Sequence, residues 1–352
     1  MDTIKQQREQ RQIAIWLLIG VFMIVIQVLI GGITRLTESG LSITEWKPIT
    51  GALPPMNNTA WQAEFDKYKV TDQFKYVHQH FSLSEFKFIF FWEWFHRSWA
   101  RLLGVVFLIG FIYFLVKGKF NKRMILPMVI LFLLGALQGF IGWIMVKSGL
   151  VPEKYFVGHV ELTTHFIAAL GLLCYTLWFA LSLLVHEKQI VTSTRLKNFL
   201  LVILAILFFQ LIYGGFMAGL RAAASAPTWP DINGSIVPAT MFELSPFSRN
   251  LVDNPITVHF IHRGLAYLLL LLIITWFFRS GTVAGHTLFK KLRFGLLFLV
   301  LLQATLGILA LFNATDANNF VIIGAAHQFV AMLLLMTVVS LIFIVQRKHS
   351  YN

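Results

Sequence analysis

The residues best suited to chemistry in this sequence are four histidines that lie in four separate apolar segments. They occupy equivalent places in two similar halves of the chain, at a similar predicted depth: His96, His165, His262 and His327. Paired neutral imidazoles are typical axial ligands of a haem, whereas zinc requires three or four ligands that converge tetrahedrally. A lone buried histidine often serves packing only, but one in each of four segments favours ligation. The pattern predicts two haem sites.

The segment around His96 carries the strongest chemical signal. It reads EWFHRSWARLLG over Glu93–Gly104, and a related stretch, VHFIHRGLAYLLL, covers Val258–Leu270. Glu93 stands three residues before His96, on the same helical face, where the second half has His259. A carboxylate beside a haem can transfer protons or stabilise developing charge. We therefore expect a reactive haem in the first half and a resident haem in the second; a glutamate that only packs helices together is the alternative.

Further ionisable residues accompany these histidines. Arg97 and Arg263 directly follow two of them and could pair bidentately with haem propionates or extend to the membrane interface; propionate pairing is favoured. An HxH pair in the long first loop could bind a metal, but no third ligand is evident. The sequence leaves open the roles of this loop and of four further histidines: His78, His80, His159 and His259.

The composition indicates a membrane protein. The 352 residues are 57% hydrophobic and 13% charged, with a mean hydropathy of +0.72. Eight stretches reach the roughly 20 apolar residues that a helix needs to cross a bilayer. They lie at about Ile13–Ile33, Phe86–Val116, Met124–Val146, His159–Val185, Leu196–Leu220, Ile256–Phe278, Leu292–Phe312 and Val321–Val345. The predicted fold is an all-α integral membrane protein, because these runs are apolar all round rather than alternating.

The eight predicted transmembrane helices form two halves of similar sequence. The first and fifth carry Gln, three residues and then Gly-Gly, beginning at Gln27 and Gln210. The third and seventh carry the related stretches QGFIGWIM and QATLGILA. Four helices repeated in the same orientation indicate a tandem repeat about the membrane normal. We predict two tandem four-helix bundles, residues 1–190 with the reactive haem and residues 191–352 with the resident one.

The net charge of +13 reflects membrane orientation rather than nucleic-acid binding. The termini and the loops expected on their side contain 16 of the 29 Lys and Arg residues but only three acids. By the positive-inside rule, both termini face the cytoplasm. The N-terminus resembles neither a signal nor a transit peptide, so a multi-pass protein of the bacterial cytoplasmic membrane is expected. The single cysteine, Cys174, allows no intramolecular disulfide.

Several motifs, taken in order, resemble the haem A synthase family. They are the runs ITRLTESGLSITEW and EFKFIFFWEWFHR and three further histidines in their expected helices, and the long first loop is similar to the mitochondrial-type branch. The resemblance implies oxidation of the C8 methyl of haem O to a formyl group, giving haem A for terminal oxidases. It implies that His96 and His165 bind the substrate haem beside an acid–base residue, Glu93. It also implies that His262 and His327 hold a haem b that passes electrons.

Two other classes of protein stay open. A bis-histidine membrane cytochrome b would transfer electrons without chemistry on the porphyrin, and a carboxylate in only one half argues against it. A transporter would place its site nearer the midplane, between broken helices. Haem O and membrane lipid are the expected contacts of this chain. A haem O synthase, an electron donor and a second copy of the chain are candidate partners.

Overall fold

The computed structural model describes residues 2–45, 47, 50–283 and 285–346. It contains eight long helices: α1 (Asp2–Leu36), α2 (Leu83–Val116), α3 (Lys122–Gly149), α4 (His159–Leu184), α5 (Thr194–Leu220), α6 (Pro255–Ser280), α7 (Thr287–Phe312) and α8 (Ala317–Ile344). All eight are long and apolar enough to cross a membrane, which confirms the predicted all-α fold for these residues. The basic C-terminal tail at 347–352 and part of the ITEW segment lie outside the described residues.

Several helices begin earlier than the sequence predicted because polar residues extend them. α1 continues through the polar N-terminal stretch, which is rich in the helix formers Gln, Lys, Arg and Glu. α2 begins after a capping box formed by Ser82 and Glu85, and α8 begins after Asp316, whose side chain accepts hydrogen bonds from the first turn. His96 and His327 therefore lie further from their helix starts than predicted, and the common depth of the four histidines stays a prediction.

The long loop between α1 and α2 folds into two short helices on the side opposite the termini, called the loop side below. They span Asn58–Lys69 and Asp72–Tyr76. Phe65 and Tyr68 of the first short helix stack on Phe86 of α2 in a small separate core. The loop is thereby anchored to the start of the helix that carries Glu93 and His96.

The contacts between helices repeat from one half of the chain to the other. In the first half α1 packs against α2 and α4, and α3 packs against α4; in the second, α5 packs against α6 and α8, and α7 against α8. The halves meet where α4 contacts α5 and α8, and where α1 contacts α8. These contacts fit two tandem bundles divided near residue 190, an arrangement that stays a prediction. One contact differs, because α6 packs closely against α7 whereas α2 and α3 do not pack closely.

The second glycine of each Gly-Gly pair lies where the two halves meet. A Cβ at Gly32 would collide with the side chain of Gln328 in α8, and a Cβ at Gly215 would collide with Thr163 in α4. Gln328 also donates a hydrogen bond to the carbonyl oxygen of Val28 at 3.0 Å. At Gly215 the helices approach too closely for a side chain, because even the Cβ of Thr163 lies in the way, whereas at Gly32 the flexible end of Gln328 would have to move. α3 and α7, which pack mainly within their own halves, lack this second glycine.

On the side of the termini, two short strands join the ends of the second half. β1 (Val191–Thr192) pairs in parallel with β2 (Val345–Gln346). The pairing ties the segment before α5 to the end of α8. The sequence had predicted only a loop before α5, since a strand of two residues leaves no periodic pattern.

Candidate functional site

Each of the four predicted histidines contacts a glutamine on the preceding helix. The glutamine Nε2 lies 3.1–3.3 Å from a ring nitrogen of the histidine, in the pairs Gln27–His96, Gln138–His165, Gln210–His262 and Gln303–His327. The histidines lie on α2, α4, α6 and α8, and the glutamines on α1, α3, α5 and α7. The contacted ring nitrogen is Nε2 in both second-half histidines, whereas it is Nδ1 in His165 and both nitrogens lie equally near in His96.

A glycine four residues after each glutamine lies against the histidine ring. A Cβ at this glycine would come within 2.8–3.4 Å of the ring Cε1, in the pairs Gly31–His96, Gly142–His165, Gly214–His262 and Gly307–His327. Residues four apart lie on the same face of a helix, so one face supplies both the polar contact and the space for the ring. We call each such set a Gln–His–Gly unit.

The sequence interpretation used the glutamines only to align the two halves and missed this role. The available signal was the spacing Gln-x3-Gly, which occurs in every odd-numbered long helix and is followed by a histidine in the next long helix. The repeating structural unit is therefore a helix pair, and the described chain contains four of them. A repeat of four helices is two such pairs.

The structure brings the histidines together two by two. His96 is within electrostatic reach of His165, and His262 is within reach of His327. In each half, one histidine comes from the first helix pair and the other from the second. The motif resemblance implies these same two pairs as haem ligands, and that assignment stays a prediction.

Several buried polar atoms of these units have no hydrogen-bond partner within the protein. They are the Oε1 atoms of all four glutamines and the Nδ1 atoms of the two second-half histidines: Gln27, Gln138, Gln210, Gln303, His262 and His327. An unsatisfied buried polar atom costs about 1–3 kcal/mol, which favours a further group at these sites.

The unpaired atoms suit a haem. A neutral imidazole offers one lone pair to a metal and one N–H to a protein acceptor. A half-turn of the glutamine amide would bring its Oε1 to that N–H and leave the other ring nitrogen for iron. Acceptors of this kind commonly orient metal-binding histidines. The donor set therefore fits a flat macrocycle held between two imidazoles.

Glu93 lies one turn before His96, and its buried carboxylate is bound on both oxygens. Oε2 accepts hydrogen bonds from Ser42 Oγ at 2.7 Å and from the backbone N–H of Ile43 at 2.8 Å. Oε1 accepts one from Arg97 at 2.5 Å in an ion pair. The carboxylate thus joins α2 to the loop after α1, a role that the sequence did not predict.

The second half has a different pair at the equivalent positions. The Nε–H of Arg263 donates to Nε2 of His259 at 3.1 Å, so an imidazole replaces the carboxylate. The other guanidinium N–H groups donate to backbone carbonyls of the loop after α5, at Ala226, Thr228, Pro230 and Asp231.

Both arginines hold a loop against their helix. Arg97 donates to the carbonyls of Ile43 and Glu45, as Arg263 does to its own loop. A haem propionate would have to replace one of these carbonyls, because all five N–H donors of Arg263 already have acceptors.

The HxH pair in the first loop is divided between the interior and the surface. His78 is buried, with Nδ1 2.7 Å from the hydroxyl of Tyr68 and Nε2 3.3 Å from a carboxylate oxygen of Glu38. His80 is exposed. His78 therefore serves the internal contacts of the loop.

An ion pair and a close contact between a histidine and a carboxylate connect the halves on the loop side. Glu38 lies 2.8 Å from Nη2 of Arg221 at the end of α5, and Nε2 of His159 at the start of α4 lies 3.2 Å from Asp253. The hydrogen bond from His78, supported by the charge of Arg221, lowers the pKa of the Glu38 carboxyl. Glu38 is thus a charged link between the first loop and the second half.

The fold and the four Gln–His–Gly units define a multi-span membrane protein with paired histidines of the kind that bind haem. Residues 14–339 match a family model described as cytochrome oxidase assembly protein. Proteins named heme A synthase from Flavobacterium psychrophilum and Rhodospirillum centenum are each 40% identical, over 94% and 92% of this chain and 97% and 86% of their own. One from Beijerinckia indica is 42% identical over 94% of this chain and 91% of its own. The chain therefore belongs to the haem A synthase family, as its motifs predicted.

Proposed function

We propose that the protein is an enzyme that oxidises the C8 methyl of haem O to a formyl group, giving haem A for terminal oxidases. Similarity to proteins named heme A synthase along almost the whole chain supports this reaction. One observation of the site carries the proposal further. The Gln–His–Gly units form two pairs, and the residue one turn before the first histidine is a buried carboxylate, Glu93, in the first half and an imidazole, His259, in the second.

His262 and His327 hold a resident haem b, which supplies one-electron redox chemistry when bound. With their amides turned by half a turn, Gln210 and Gln303 would accept an N–H of these imidazoles and leave the other ring nitrogen to a metal. Gly214 and Gly307, on the same helices as these glutamines, leave room for the two histidine rings. This half is proposed to pass electrons to the first.

His96 and His165 bind the substrate, haem O. Gln27 and Gln138 contact these two imidazoles and are proposed to orient them. Holding a substrate in a fixed orientation contributes to rate because less freedom is lost on reaching the transition state. The same scaffold thus serves as a ligand set in one half and as a substrate clamp in the other.

Glu93 is the acid–base residue of the first-half site. Its bonds to Ser42, Ile43 and Arg97 fix the carboxylate in place, and Oε1, which accepts one hydrogen bond where Oε2 accepts two, is the oxygen with a lone pair left for a proton. Arg97 and Arg263 are proposed to reach the haem propionates by exchanging a loop carbonyl for a propionate oxygen.

The protein is expected in the bacterial cytoplasmic membrane with both termini in the cytoplasm, because the basic loops lie on that side. The histidines would then lie toward the outer half of the membrane. A haem O synthase is the expected source of substrate, and an electron donor must reduce the resident haem. A homo-oligomer is a further expectation.

Identification of the bound haems tests the function. The chain is expressed in a host without its own haem A synthase but with a haem O synthase, and the haems are extracted and separated. We expect haem A in the membranes and haem b in the purified protein. The similarity of the four units is also compatible with a bis-histidine cytochrome. Such a protein would yield haem b but no haem A under these conditions.

A further inference from the structure

The first half of the bundle is open where the second half is closed. α6 packs closely against α7, but the equivalent helices α2 and α3 do not pack closely. The inner faces of the equivalent helices differ accordingly. Leu269 and Ile273 of α6 are 3% and 0% exposed, while their counterparts Leu103 and Phe107 on α2 are only partly buried. A gap with apolar walls therefore separates α2 from α3.

Small residues border this gap at places where the second half has larger ones. A Cβ at Gly104, Gly135 or Gly139 would meet no heavy atom within 4 Å. When His96 is aligned with His262, Gly104 corresponds to Leu270. When Gln138 is aligned with Gln303, Gly135 corresponds to Val300 and Gly139 to Ala304. Of these, Val300 is only 5% exposed. Gly135 thus corresponds to an interior position of the second half. It is exposed in the first half because α2 and α3 do not pack closely there.

The gap is continuous with the first-half Gln–His–Gly units. Gly135, Gln138 and Gly142 are three and four residues apart, so they lie on one face of α3. Gln138 and Gly142 on this face contact His165. A ligand held by His165 therefore has open apolar space beside it, one turn before Gln138 on α3.

We propose that the gap between α2 and α3 holds the isoprenoid tail of the substrate haem. This inference rests on the proposed function, since haem O differs from haem b in carrying a long apolar chain. An apolar chain gains free energy when it leaves water for apolar surroundings, and a gap open to the membrane admits one of any length. In the second half, Val300 and Leu270 occupy the equivalent space, which suits a haem without such a chain. Gly135 is thus a specificity-determining residue.

The experiment fills the gap with the residue that the second half uses. Gly135→Val and the milder Gly135→Ala are purified with the resident haem in place, and haem O or haem b is titrated into each while absorbance is recorded. Valine is tolerated in helices better than glycine, so the helix should form. For Gly135→Val we expect the Kd for added haem O to rise about tenfold or more, the typical effect of overpacking, with a smaller rise for alanine. The Kd for added haem b should stay within about twofold, as changes away from the ligand rarely alter binding by more.

Gly171→Val is the matched control, because Gly171 is an exposed glycine on α4 that also has no heavy atom within 4 Å of a Cβ. It should leave both affinities unchanged. Wild-type affinity of Gly135→Val for haem O would overturn the proposal and leave lipid or a second copy of the chain as the occupant of the gap. An equal loss in Gly171→Val, or an equal loss for haem b, would overturn it too. Failure of the proposed function is a separate result, since the wild-type protein would then form no haem A at all.

Discussion

The two halves of the protein hold their histidines in the same way but differ in what surrounds them. Each half has two Gln–His–Gly units with matching distances. Around these units, the first half has Glu93 where the second has His259, and Gly135 where the second has Val300. The ligand scaffold is thus common to both halves, and a few neighbouring residues distinguish them.

The comparison also separates two roles of Glu93. In the second half, His259 and Arg263 hold the loop after α5 against α6 without any carboxylate. Holding a loop therefore does not require an acid at this position. The carboxylate in the first half needs a further reason, and proton transfer at the substrate supplies one.

The largest effect is expected from removing a ligand of the resident haem. His262→Ala or His327→Ala leaves iron with a single imidazole, so we expect haem b in the purified protein to fall to below about a tenth of the wild-type amount. Reduced-minus-oxidised spectra measure this content. The matched variants His96→Ala and His165→Ala should keep haem b and lose haem A formation. Equal loss of haem b from all four variants would contradict the division of labour between the halves.

A smaller but still large effect is expected from Glu93→Gln, which keeps the shape of the side chain and removes its charge. Haem A formed per haem b should fall by on the order of 10²-fold, the typical contribution of a positioned acid or base. Ser42→Ala removes one hydrogen bond to the carboxylate without removing the charge, and it should cost far less. A wild-type ratio in Glu93→Gln would end the catalytic interpretation, and an equal loss in both variants would favour a purely structural role.

The glutamines should have a moderate effect that is similar in the two halves. Gln210→Leu removes the amide that contacts His262, and we expect haem b affinity to fall about tenfold, the lower range for groups that orient a metal ligand. Gln27→Leu should weaken haem O binding by a similar factor and leave haem b in place. Titration of each haem measures both effects. Unchanged affinities would show that the glutamines serve packing alone.

The smallest effect concerns the contact between the halves. The pKa of Glu38 is lowered chiefly by its hydrogen bond with His78, so its stabilising effect is present above its ordinary pKa of about 4.3 and is lost as pH falls through the lowered value. Glu38→Gln should cost about 1 kcal/mol at neutral pH, since the side chain is partly exposed, and less in acid. Thermal unfolding in detergent at several pH values measures the difference. A destabilisation that is constant down to pH 3 would rule out this linkage.

The sequence by itself determined the class, the helices and the candidate ligands. Long apolar runs must form membrane-spanning helices because no other regular structure satisfies its backbone hydrogen bonds locally in lipid. A histidine in such a run is costly, so four at repeated positions identified His96, His165, His262 and His327 as candidate site residues. The spacing of Glu93 and His96 also placed them on one helix face, because that relation is local.

Only the tertiary structure decided which residues meet across helices. Residues far apart in sequence form the contacts between histidines and glutamines and the contacts by which Arg97 and Arg263 hold their loops. The gap between α2 and α3 likewise depends on how separate helices pack. Apolar helices in a membrane give no periodic pattern that reveals their neighbours, because lipid and protein surroundings are both apolar. Close packing then distinguishes positions such as Gly135 and Val300, which look interchangeable until the neighbouring helix is in place.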